Sequence, residues 1–75
     1  MLKKDYKAVD EAIKEERESG HIFCDFDDYK HDLQEVADMI GVEMIENEEE
    51  DLVFKNAKDE ARVKEALDYY YKQHN

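Results

Sequence analysis

The stretch Asp25-Phe26-Asp27-Asp28 sets two carboxylates two residues apart, directly after the β-forming run His21-Ile22-Phe23-Cys24. Such a pair could share nucleophilic and acid/base work on a phosphoryl group, with magnesium offsetting the repulsion between the two charges. That chemistry also needs a lysine and further aspartates converging on a pocket, and 75 residues leave little chain to arrange them. Calcium fails on spacing. Counted from Asp25, the fifth place holds Tyr29, the sixth Lys30 where glycine is needed, and the twelfth Val36 where glutamate is needed. For zinc, His21, Cys24 and His31 are too few, and in an extended segment His21 and Cys24 point to opposite faces. The residues therefore predict no catalytic group, metal or cofactor, and Cys24 reads as a small buried side chain.

The same acids have a use that needs no pocket, which is display. From Glu18 to Asp51 the chain holds thirteen Asp or Glu residues and one base, Lys30, whereas the remainder holds nine acids and ten bases. The formal net charge of −11 thus lies almost wholly in the middle of the chain. Charge needed only for solubility can be scattered in both signs, so this segregation predicts a surface that meets something positive. DNA carries about one negative charge per 1.7 Å of helix axis, and carboxylates three or four residues apart on a helix stand about 5–6 Å from one another. Asp25, Asp27, Asp28, Asp32, Glu35, Asp38, Glu43, Glu46, Glu48, Glu49, Glu50 and Asp51 are the candidate partner-binding residues. The competing reading is an inert solvated face. Direct nucleic-acid binding is excluded, because the bases lie in the outer segments and are balanced there by acids.

Composition bounds the rest. The chain is one domain, 1–75, with 41% hydrophobic residues and eight aromatics, enough for a modest core. A single cysteine excludes an internal disulfide. The charged start Lys3-Lys4-Asp5 is unlike a signal peptide, and no apolar run approaches the ~20 residues that span a bilayer. The expected setting is a reducing cytoplasm.

The elements that must position these acids follow from periodicity. Leu2, Tyr6, Val9 and Ile13 predict a helix over Leu2–Ser19, with Gly20 just past its end. His21–Phe26 is predicted as a strand, and Asp27 or Asp28 as the cap of a helix ending at Ile40 before Gly41. Tyr29, Leu33, Val36, Ala37 and Ile40 form its apolar face, with Asp28, Asp32, Glu35 and Asp38 on roughly the opposite side. Val42–Glu46 and Leu52–Lys55 predict a hairpin with an acidic turn. Asn56 would cap a last helix, Ala57–Gln73, with Ala57, Ala61, Val63, Ala66, Leu67 and Tyr70 inward. The order α-β-α-β-β-α predicts an α+β two-layer domain, a three-stranded mixed sheet with helices on one face.

Tyr69, Tyr70 and Tyr71 cover about 200° of helix at ~100° per residue, so all three cannot face one core. They are candidates for contact with a second copy, which would double the acidic array. Taken with Asp25-Phe26-Asp27-Asp28, Asp32 and the run Glu43 to Asp51, the chain resembles the small acidic DNA-mimic proteins of phages, among them a Bacillus phage host-takeover inhibitor of the nucleoid protein HU. The resemblance implies a homodimer whose acidic surface fills the DNA-binding cleft of a basic host protein such as HU. An adaptor or antitoxin-like module that binds protein without imitating DNA is the alternative expectation.

Overall fold

The segment after the first helix decides the architecture, because its backbone forms no sheet. The computed structural model of the chain describes residues 2–74. Its elements are helix α1 (Lys3–Ser19), helix α2 (Tyr29–Ile40), strands β1 (Met44–Glu46) and β2 (Leu52–Phe54), and helix α3 (Ala57–Gln73). The α+β class expected from the sequence holds. The three-stranded mixed sheet does not: the sheet has two antiparallel strands, with Met44 opposite Phe54, Ile45 opposite Val53 and Glu46 opposite Leu52.

The expected strand His21–Phe26 is an irregular loop. Every buried backbone N–H needs an acceptor, and here carboxylates take the place of a strand partner. The Phe23 N–H donates to Glu16 Oε1 (3.1 Å) and the Asp25 N–H to Asp32 Oδ1 (3.1 Å). The Asp27 and Asp28 N–H groups both donate to Asp25 Oδ1, at 3.0 and 2.9 Å. Phe26 then turns the chain at a φ of 66°, in the left-handed region that a bulky residue seldom enters.

The helices end as the sequence indicates. Gly20 and Gly41 adopt left-handed conformations just beyond α1 and α2, at φ of 77° and 76°. Asp28 caps α2 by accepting from the His31 N–H (3.2 Å), and Asn56 caps α3 by accepting from the Asp59 N–H (2.9 Å). The hairpin turn lacks an Asn-Gly pair, and two residues stand in for it. Asn47 Oδ1 accepts from the N–H groups of Glu49 and Asp51, and Glu50 takes the left-handed position at φ 64°.

Three helices enclose the core. Asp5 meets Arg62 near one end of α1, and Glu16 meets Tyr70 and His74 near the other, so α1 and α3 run parallel. Asp32, early in α2, bonds to Tyr71, late in α3, so α2 runs against them. Val9, Ile13, Leu33, Val36, Ala37, Ile40, Val63, Ala66, Leu67 and Tyr70 fill the centre, joined by Cys24 from the loop and Val42 after α2. Leu2, Tyr6 and Tyr29, expected inward, are exposed, as are Ala57 and Ala61. Each lies in the first two turns of its helix or just before it, and Tyr6 sets its ring edge-on against Tyr69, centroids 4.8 Å apart. The hairpin sits at the edge of this bundle, with Met44 and Phe54 packed against the core.

Candidate partner-binding surface

Acids in this chain fall into two populations. Asp5, Glu16 and Asp32 are buried, and each is supplied with donors. Asp5 receives a two-pronged contact from Arg62, Nη2 to Oδ1 at 3.0 Å and Nε to Oδ2 at 3.2 Å. That guanidinium hydrogen bond holds the Asp5 carboxyl below its ordinary value against the opposing effect of burial. At Glu16 burial pushes the pKa up, but donation from Tyr70, the Phe23 N–H and His74 more than offsets it, leaving the group lowered. Among the described residues, no buried side-chain nitrogen or oxygen lacks a hydrogen-bond partner.

Asp32 corrects the display surface expected from the sequence. It is fully buried, with Oδ1 taken by the Asp25 N–H and Oδ2 by the Tyr71 hydroxyl, so it braces the loop and cannot meet a partner. The signal was in the spacing: Asp32 lies three residues after Tyr29 and four before Val36, on the apolar stripe of α2 and not opposite it. The same reading finds Asp5 and Glu16, which continue the Val9–Ile13 stripe of α1 and which sequence reasoning missed.

The three consecutive tyrosines are engaged within the chain. Tyr69 donates to Asp10 (2.7 Å), Tyr70 to Glu16 and Tyr71 to Asp32, so three acids from α1 and α2 tie down α3. Tyr70 is fully buried and offers no surface to a second copy, while Tyr69 and Tyr71 are half-buried. Desolvation and these carboxylate bonds push the Tyr70 and Tyr71 hydroxyls far up.

Ten of the twelve candidate acids are exposed: Asp25, Asp27, Asp28, Asp38, Glu43, Glu46, Glu48, Glu49, Glu50 and Asp51; Glu35 is half-buried. They occupy the loop, α2 and the hairpin. The hairpin folds back along α2, so that Glu50 and Asp51 line a groove with Lys30, Leu33 and Gln34. An adjoining groove, sharing Gln34, Met44 and Leu52, brings Asp38 together with Glu43. Among the described residues, one Lys or Arg ion pair reaches these twelve acids, Lys55 Nζ to Glu43 Oε2 at 2.8 Å. That contact lowers the Glu43 pKa. The outer helices are different: there Arg62 pairs with Asp5 and Asp59, Lys64 with Glu60, and Lys72 with Asp68.

Asp25, His31 and Asp32 bring three ligand-type atoms within 4.8 Å of one another. Donors already hold three of their four carboxylate oxygens: two backbone N–H groups on Asp25 Oδ1, one on Asp32 Oδ1 and a hydroxyl on Asp32 Oδ2. The arrangement works as a loop cap. Among the described residues, no helix is long and apolar enough to cross a membrane. No family model, curated protein or solved structure matches the chain.

Proposed function

We propose that this protein is a non-enzymatic DNA mimic, whose acidic surface occupies the DNA-binding cleft of a basic nucleic-acid-binding protein, such as HU, and excludes DNA from it. One observation carries the reading. Among the described residues, Lys and Arg pair with four acids of the outer helices, Asp5, Asp59, Glu60 and Asp68, and with only one of the exposed acids of the loop, α2 and hairpin, Glu43. Like charges left together cost stability, so a chain with eleven Lys and Arg residues has reason to keep them apart only if another molecule supplies the counter-charge. Caps and turns hold the carboxylates in place: Asp25, Asp28 and Asn47 bond to the backbone that carries them. A fixed charge array loses less entropy on binding than a flexible one. If the protein is phage-encoded, its partner lies in the host cytoplasm.

The test is a titration against a basic DNA-binding protein such as HU at rising salt, with and without duplex DNA. Affinity should fall steeply with salt, and DNA should compete. The same affinity at about 50 and 500 mM salt would rule the mechanism out. A second reading is an adaptor or antitoxin-like module that binds protein without imitating DNA, and the exposed Ile22, Ile45 and Leu52 favour it. In that case neutralising Glu48 to Asp51 would leave affinity nearly unchanged, whereas mimicry requires a marked loss.

A further inference from the structure

Within the acidic surface one patch is also aromatic. Phe26 is 47% exposed although its ring lies on α3, with centroids 5.3 Å from Tyr71, 5.4 Å from His74 and 5.9 Å from Tyr70. The ring is therefore supported by α3 while about half of the residue stays open to solvent. Tyr29, 53% exposed, follows two residues after Asp27. Asp25, Asp27 and Asp28, which adjoin Phe26 and Tyr29 along the chain, are all exposed. Asp27 makes no hydrogen bond or ion pair through its side chain among the described residues, and Asp25 uses only Oδ1 for its backbone bonds.

We infer that this patch docks arginine side chains of the partner in preference to lysine. The inference rests on the acidic-surface reading above and specifies which cation that surface is shaped for. A lysine ammonium is a compact, strongly hydrated charge, and carboxylates alone would serve it. A guanidinium is planar and weakly hydrated, stacks on an aromatic face, and offers its edge to carboxylates as a fork. A supported, half-open ring flanked by aspartates presents both of the surfaces that a guanidinium uses.

The experiment titrates the full chain with nonapeptides of arginine and of lysine, matched in charge, at fixed ionic strength. The arginine peptide should bind more tightly, and Phe26→Leu, which keeps an apolar group but removes the π face, should cut that preference about two- to fivefold. Affinity for the lysine peptide should stay the same in that variant. In the unmodified chain, the ring protons of Phe26 should shift on adding the arginine peptide and not the lysine peptide, a readout that does not depend on the variant folding. Equal affinities, an undiminished preference in Phe26→Leu, or an unmoved Phe26 ring would each overturn the inference while leaving the acidic-surface reading standing. If neither peptide binds, that reading falls as well.

Discussion

Asp32 shows how one side chain can belong to the charge pattern of a protein without belonging to its surface. Its two buried oxygens satisfy the Asp25 N–H and the Tyr71 hydroxyl, and removing them takes the acceptor from two part-buried donors and leaves a gap in the core edge. Asp32→Ala should therefore cost about 2–4 kcal/mol in urea unfolding, whereas Asp27→Asn should change stability by less than about 0.5 kcal/mol. The buried carboxylates also set a pH dependence. Asp5 and Glu16 titrate below their ordinary values of 3.8 and 4.5. Groups with lowered pKa contribute stability that is fully present above those ordinary values and is lost as pH falls through the folded-state values. Relief of repulsion among the exposed acids acts in the opposite direction, so the contribution is best isolated by difference. Below about pH 4.5 an Asp5→Asn, Glu16→Gln variant should lose less stability on acidification, or gain more, than the unchanged chain.

At the scale of elements, the hairpin and the bundle should differ in stability. A two-stranded sheet is marginal alone, and this one is held by the packing of Met44 and Phe54. Backbone amides of β1 and β2 should exchange with solvent faster than those at the centres of α2 and α3; equal protection would show that the hairpin opens only with the whole domain. Most element boundaries were legible in the sequence, because caps and glycines act locally. Asp28, Asn56, Gly20 and Gly41 do in the structure what their types suggest. The segment His21–Phe26 misled because β-forming composition describes a side chain's fit to a sheet, not the presence of a neighbouring strand to pair with. Here three acids, Glu16, Asp25 and Asp32, satisfied that backbone first. Two of those acids come from helices, and their inward stripe positions were readable from spacing alone. The folding-back of the hairpin along α2, which brings Glu50 and Asp51 beside Lys30, depends on packing and had no local signature.

For the whole molecule, the exposed acids of the loop, α2 and hairpin repel one another in a chain of net charge −11. Screening should relieve this, raising Tm by about 3–8 °C between roughly 20 and 500 mM sodium chloride; a fall would mean that the outer ion pairs matter more than the central repulsion. The same salt should weaken the complex with a basic partner, so folding and binding are expected to answer salt with opposite signs. Cys24 supplies a way to watch both. Its side chain points from the loop into the core and is fully buried, and desolvation raises its thiol to about 12. At neutral pH a thiol so shifted is ionised far less than an ordinary one. Alkylation should then wait for the loop to open, which turns the chain's one cysteine into an intrinsic clock. Its ticking should slow with salt in the free protein, and slow further when a partner closes over Phe26.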